Sequence, residues 1–375
     1  QYSEHFEDAK GFGWSVGATS FDWSKLVAAK EAEITRLEGL YRKGLENAKA
    51  EIFNSRAELV GPNSVRLIAE DRVVTAERII VAVGGSTNRQ EHIPGYEHAI
   101  SSNEAFDLPR LPKSVLVAGG GYIAVEFANI FHGLGVEVTL IHRGPEILRG
   151  FDHDMRQGLH RAMTDKGIKI ILQDQIKSID LDGSQRRVTT NEGQELLVDE
   201  VLLALGRTPN TKGLGLDTVG VAMGANGEVI VDDYSRTNVA SIFALGDVTN
   251  RVQLTPVAIH EAMCFIETEY KGRPTKPDHE LIPTAVFSQP EIGTVGLSEE
   301  QASARFSDLE IYRAEFRPMK ATLSGRSEKM IMKLIVNAAD RKVLGAHILG
   351  HEAGEMIQLV GIALKGGCTK DDFDR

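Results

Sequence analysis

The sequence predicts an α/β protein that closes with an α+β domain. Three observations predict it: a strand, helix and strand arranged around a glycine-rich turn between 115 and 141; further apolar strands that run into glycine turns at 84, 206 and 246; and, beyond Pro283, alternating strands mixed with amphipathic helices and no glycine fingerprint.

Taking the elements in order, Ser24 is placed to cap a long helix in which Ile34, Leu37, Tyr41 and Leu45 share a face. A β-rich stretch follows from Ile52 to Val83, and its last run, Ile79 to Val83, reads as a buried strand ending at Gly84-Gly85. Ile93-Pro94-Gly95 and the proline-flanked segment Leu108 to Pro112 read as a connector. Val115 to Ala118 is a buried parallel strand feeding directly into Gly119, Gly121 and Ala124, a GxGxxA spacing. Each small residue has its own task. Gly119 lets the chain turn, Gly121 lets the backbone approach a pyrophosphate, and Ala124 lets the next helix pack closely on the strand. Ile123, Phe127, Ile130, Phe131 and Leu134 place one apolar face on that helix, Gly135 stops it, and Val136 to Ile141 is the second strand. The unit is a Rossmann-like dinucleotide site.

About 20 residues after such glycines an NAD site places a carboxylate for the ribose hydroxyls. Here stand His142 and Arg143, with Arg149 one loop further on. A carboxylate would repel a 2′-phosphate, whereas two guanidiniums can make charge-assisted hydrogen bonds to it. The expected ligand is therefore a dinucleotide carrying the extra phosphate.

Val201 to Leu205 reads as another strand, ending in the polar turn Gly206-Arg207-Thr208-Pro209-Asn210 where open α/β sheets bind ligands. The segment 227–247 reads as two strands, the second (Ile242 to Leu245) terminating in Gly246-Asp247 and aiming the aspartate at a ligand. Beyond Pro283, strands are expected at 284–287, 330–336 and 343–349, with amphipathic helices near Ser298 and Glu352.

The 375 residues, 42% of them hydrophobic, suffice for two to four cores at roughly 100–200 residues per domain. A net charge of −11 without a basic run argues against nucleic acid or an anionic membrane surface as partner, so anionic ligands need local basic pockets. No apolar stretch approaches a bilayer span and the start lacks a signal-peptide pattern, which gives a cytoplasmic expectation. Cys264 and Cys368 are too far apart for a CxxC or CxxxxC pair and belong to no metal motif, so they read as small apolar residues.

The order of signals, AVGG at 82–85, GGGYIAVE at 119–126, GRTPN at 206–210, ALGD at 244–247 and LTPVAI at 254–259, resembles the pyridine nucleotide-disulfide oxidoreductase family over nearly the whole chain. GYIAVEFA, the HR and LRGFD pair, SQPEIGTVGLSE at 288–299 and GCTKDDFD at 367–374 are most similar to its branch that reduces glutathione disulfide. The resemblance implies FAD- and NADPH-binding Rossmann-like domains followed by an α+β dimerisation domain: an FAD domain over 1–87, an NADPH domain over 88–208, a returning FAD segment over 209–282 and the dimerisation domain over 283–375.

It also implies roles. Gly119, Gly121, Ile123 and Ala124 would hold the NADPH pyrophosphate, Arg143 and Arg149 the 2′-phosphate, and Gly206 and Arg207 the bound NADPH from a strand end. Tyr122 would cover the flavin until nicotinamide displaces it, and Glu126 would lie beside the nicotinamide and pair with a lysine. Gly84, Gly246 and Asp247 would hold FAD, the aspartate on the ribityl chain, with Thr255 approaching the flavin ring. Tyr41 would lie against glutathione disulfide.

The family's first FAD fingerprint, its CxxxxC pair and that lysine would fall before Gln1, and its HPT motif after Arg375, so the chain reads as a fragment of a homodimeric enzyme. Met263 stands where several relatives carry an arginine for the substrate's carboxylate, which leaves open another small disulfide as substrate. A chain complete as given would instead be a non-catalytic, NADPH-binding dimeric module.

Overall fold

A computed structural model describes residues 2–88 and 90–375. It divides into two compact units, the first made of 1–25, 89–205 and 280–375, the second of 26–88 and 206–279.

In the first unit, strands Glu200–Leu203, Ser114–Ala118, Glu137–His142 and Lys169–Leu172 lie side by side in that order, all parallel. Parallel neighbours need crossovers, and the helices Tyr122–Gly133 and His153–Asp165 supply them. Helices pack on the face of Val115 and Val117 and the antiparallel strands that follow pack on the face of Leu116, so the inner strands are buried on both sides, with Val115, Leu116, Val117, Val201 and Leu202 fully buried. A three-stranded antiparallel sheet, Ile176–Asp182, Gln185–Thr190 and Glu195–Val198, adjoins it.

The C-terminal part of the same unit is a five-stranded antiparallel sheet in the order Thr284–Val286, Glu291–Gly296, Val343–Gly350, Met330–Asn337, Leu309–Phe316, with helix Ala353–Lys365 against it. Capping boxes at Ser298 and Thr369 start the short helices Glu299–Ser303 and Lys370–Phe373. The two sheets share a core: Gly158 of the helix after the nucleotide unit lies so close to the C-terminal sheet that a Cβ would stand 2.6 Å from Leu349 and 2.8 Å from Ile331.

The second unit holds most of helix Trp23–Asn47, the antiparallel strands Ala57–Gly61, Ser64–Leu67 and Arg72–Thr75, and the parallel pair Ile79–Val81 and Ile242–Ala244. It also holds the antiparallel pair Gly85–Thr87 and Arg207–Pro209 and the helix Thr255–Glu269.

Several expectations are corrected. Asp22, not Ser24, caps the long helix: its carboxylate accepts the Lys25 amide at 3.2 Å and the Ser24 hydroxyl at 2.6 Å. No residue of that helix is buried, so the face of Ile34, Tyr41 and Leu45 is exposed. Ile130 is 43% exposed, because the helix turns Ala124, Val125, Ala128 and Phe131 inward instead. The strand at 79–83 stops at Val81, its one buried residue, since its single neighbour covers one edge only. The turn after Leu205 is itself a strand at 207–209, and of the two strands expected in 227–247 only Ile242–Ala244 forms. Strands Glu291–Gly296 and Leu309–Phe316 are additional, the latter mostly exposed at the sheet edge, where alternation carries little apolar signal.

Candidate functional site

The site in the first unit is built on the turn between strand Ser114–Ala118 and helix Tyr122–Gly133. Gly119 has φ +140°, a region that side chains rarely adopt, and a Cβ there would stand 2.3 Å from the Ala204 carbonyl oxygen and 3.1 Å from the Ala124 methyl. Ala124 is fully buried, so the helix rests on the strand through a methyl group. Gly121 is different. Its backbone is extended, a Cβ on it would meet nothing within 4 Å, and it begins the helix without a side-chain cap. The amides of Tyr122, Ile123 and Ala124 open the first turn, the positive end of the helix dipole. This open surface is what a pyrophosphate requires. Tyr122 is 38% exposed at the same turn.

His142 ends the next strand, and its ring fills the space above two glycines. A Cβ on Gly120 would stand 2.5 Å from the imidazole, and one on Gly144 would stand 2.6 Å from Nε2. Burial, then the charges of Arg143, Arg149 and Arg156, push the His142 pKa below its ordinary value. The ring is thus neutral at pH 7, while Arg143 and Arg149 remain exposed and cationic beside it. Sequence reasoning missed the need for Gly120, although three consecutive glycines followed by a histidine at strand end is its signal.

The loop carrying Arg149 is fixed at several points. Leu148, buried and with φ +54°, donates its amide to the Gly120 carbonyl at 2.6 Å. Arg156 donates to the Ile147 carbonyl at 2.9 Å and pairs with Glu146 at 2.5 Å. Glu126, on the helix, accepts the Phe287 amide at 2.9 Å, and burial raises its pKa against that hydrogen bond.

In the second unit, the adjacent parallel strands Ile79–Val81 and Ile242–Ala244 both run into glycines of positive φ, Gly84 at +68° and Gly246 at +76°, with Asp247 following. A Cβ on Gly84 would meet nothing within 4 Å. Gly84 accepts the Asn210 amide at 2.9 Å and Gly206 accepts the Asn88 amide at 3.0 Å. The Arg207 guanidinium donates to the Gly85 carbonyl within this unit. The Gly246-Asp247 turn is backed by Glu261, 1% exposed, whose carboxylate accepts the Gly246 amide at 2.7 Å, Arg251 at 2.9 Å and His279 at 2.8 Å. Glu261 was absent from the candidates, yet it recurs with Val257, Cys264, Phe265 and Thr268 on the buried helix face. Thr255 is exposed in the first turn of that helix, behind the N-cap Leu254, which makes no side-chain cap.

Tyr41 is 77% exposed and belongs to no core, and Met263 is 61% exposed. Cys264 is buried, and burial followed by the charges of Glu261 and Glu267 raises its thiol pKa, so it is inert at neutral pH. Among the described residues no cluster could hold a metal, and no helix is long and apolar enough to cross a membrane.

The profile described as "Pyridine nucleotide-disulphide oxidoreductase" matches residues 2–262, and that described as "Pyridine nucleotide-disulphide oxidoreductase, dimerisation domain" matches 282–375. The chain is 47% identical over 374 residues to a glutathione reductase of Burkholderia cepacia, covering 100% of this chain and 83% of the relative. It is 44% identical over 377 residues to the chloroplastic/mitochondrial glutathione reductase of Pisum sativum, covering 100% and 68%. A trypanothione reductase of Trypanosoma congolense is 40% identical over 388 residues, covering 100% and 79%. Among solved structures, the HOCl-induced flavoprotein disulfide reductase RclA from Escherichia coli superposes with a TM-score of 0.87 at 25% identity, covering 98% of this chain and 84% of that one.

Proposed function

Because this chain belongs to the pyridine nucleotide-disulphide oxidoreductase family, we propose that the protein is an FAD-containing, NADPH-dependent reductase of glutathione disulfide that works as a homodimer. The observation that carries the NADPH reading is the neutral His142, flanked by the exposed Arg143 and Arg149, where a carboxylate would select the unphosphorylated cofactor.

The residues present fit both groups. Gly119 closes the turn, Gly121 leaves the space a pyrophosphate fills, the first-turn amides of Tyr122, Ile123 and Ala124 face it, and Arg143 and Arg149 hold the 2′-phosphate. Glu126, on the helix that follows the glycine turn and with its pKa raised by burial, would lie towards the nicotinamide end of the bound dinucleotide. Gly84, Gly246 and Asp247, at the ends of two parallel strands, would hold FAD, the aspartate as an acceptor for its ribityl hydroxyls, and Thr255 at the uncapped helix start would approach its ring. FAD held there would supply two-electron transfer between NADPH and a disulfide. The amino end of helix Thr255–Glu269 favours negative charge close to it. These 375 residues contain no vicinal cysteine pair, so the roles assigned to them are those of binding and orientation. The domain roles follow: 1–87 and 209–282 for FAD, 88–208 for NADPH, 283–375 for dimerisation.

Direct titration tests the cofactor reading. Replacing Arg143 and Arg149 with Gln should weaken NADPH by about 100-fold or more, from two lost charge-assisted contacts of about 1.5–3 kcal/mol each, and leave NADH nearly unchanged. Equal weakening of both would sink it. For the substrate, Tyr41 is exposed as an aromatic surface for glutathione disulfide, and the names of the curated relatives support that choice. The exposed Met263 favours a second reading, a reductase of another small disulfide. Faster turnover of a cationic disulfide than of glutathione disulfide would establish it.

A further inference from the structure

The C-terminal sheet carries a lysine that no nucleotide motif includes. Lys333, on strand Met330–Asn337, has a side chain 1% exposed, and its Nζ donates to Asp152 at 3.0 Å, Asp154 at 2.7 Å and Glu299 at 2.6 Å. A buried ammonium is kept only where partners compensate its lost hydration, and here three carboxylates converge on it, holding its pKa above the ordinary lysine value.

Asp152 is the informative partner. It is fully buried and caps helix His153–Asp165 by accepting the Asp154 amide at 3.1 Å; it also accepts the Glu299 amide at 3.1 Å. Arg149 lies three residues before it, and one residue before Arg149 the Leu148 amide is tied to the Gly120 carbonyl at 2.6 Å. Arg149 thus sits on a short span, anchored at one end to the glycine turn and at the other, through Asp152, to the C-terminal sheet. The anchor crosses 181 residues of sequence.

We infer that Lys333 is a positioning residue for 2′-phosphate recognition: from the C-terminal sheet it fixes, through Asp152, the loop that presents Arg149. This rests on the assignment of Arg143 and Arg149 to the 2′-phosphate. A clamp that only stabilised the fold would affect the pyrophosphate and adenosine contacts as much as the phosphate contact, because the glycine turn belongs to the same unit. A positioning clamp acts on the 2′-phosphate alone, since a small displacement of Arg149 breaks a directional, charge-assisted hydrogen bond.

The test is calorimetric binding of 2′,5′-ADP and of 5′-ADP to the full protein, with thermal melting to verify that each variant is folded. Lys333→Met should weaken 2′,5′-ADP by about tenfold while 5′-ADP changes by less than about twofold. If Lys333→Met does not fold, Asp152→Asn, nearly isosteric and still able to cap the helix, should show the same selective loss. Equal losses for both ligands, or no loss in a folded variant, would overturn the inference. Arg149→Gln measured alongside separates the two levels. If it leaves the preference for 2′,5′-ADP intact, the phosphate assignment itself fails; if it abolishes the preference while the Lys333 and Asp152 variants keep it, only the positioning role fails.

Discussion

Gly119 lies so close to Ala204 that a Cβ built on it would stand 2.3 Å from the Ala204 carbonyl oxygen. Two residues on, a Cβ on Gly121 would meet nothing within 4 Å. The two glycines of one motif therefore have separable functions. Gly119→Ala, strained at φ +140° and overpacked, should lose about 1–3 kcal/mol or more in urea unfolding. Gly121→Ala should melt like the wild type yet bind NADPH weakly, because the added methyl occupies the pyrophosphate's space. A Gly121→Ala protein that binds normally would remove the glycine turn from the nucleotide site.

Replacing His142 with Glu should reverse cofactor preference. The neutral ring leaves the arginine charges unopposed, whereas a carboxylate would repel the 2′-phosphate by about 1–4 kcal/mol at about 4 Å near a protein surface. Dissociation constants for NADPH and NADH measured on His142→Glu check this; an unchanged ratio means that position 142 does not face the ribose.

Stability should fall on mild acidification through His347. This ring is 1% exposed; its Nε2 donates to the Leu297 carbonyl at 3.0 Å and its Nδ1 lies 2.5 Å from the Thr294 hydroxyl, which donates to it when the ring is neutral. Burial, the largest effect, lowers its pKa from 6.5, opposed by Asp152 and the Leu297 carbonyl and aided by Lys333. With the folded pKa below the unfolded value, the unfolded chain binds more protons, so stability is fully present above 6.5 and is lost as pH falls through the folded pKa. The loss between about pH 7.5 and about pH 5.5 should be smaller in His347→Gln than in the wild type. Identical slopes in denaturant titrations would exclude His347 as the source.

Glu261 should couple flavin retention to stability. Glu261→Ala strips Arg251, His279 and the Gly246 amide of their shared acceptor, at a cost of about 3–5 kcal/mol. Glu261→Gln keeps an acceptor for the Gly246 amide and should lose less. Unfolding curves and flavin absorbance after gel filtration give both readings. Full flavin retention by Glu261→Ala would show that the Gly246-Asp247 turn holds its shape without the carboxylate.

Local sequence made the nucleotide turn legible, because its determinants lie within about 30 residues of one another: apolar strand, spaced small residues, apolar helix face and basic strand end. The same signals read less well where burial is decided from outside the element. Ile130 follows the helical period but faces outward, and Leu309–Phe316 alternates too weakly to announce a strand because it lies at the edge of its sheet. Tyr41 shares an apolar stripe with Ile34 and Leu45, yet none of the three enters a core.

By itself, the sequence determined the family, the glycine turn between strand and helix, and the basic end of the next strand, all of them properties of contiguous residues. Only tertiary structure decided which charges would be buried together: Lys333 with Asp152 across 181 residues, and Glu261 with Arg251, His279 and the Gly246 amide. The reason is physical. A hydrophobic period or a glycine turn acts through neighbours fixed by covalent connection, but a buried charge is tolerated only where the completed fold brings its counter-charge within hydrogen-bonding distance.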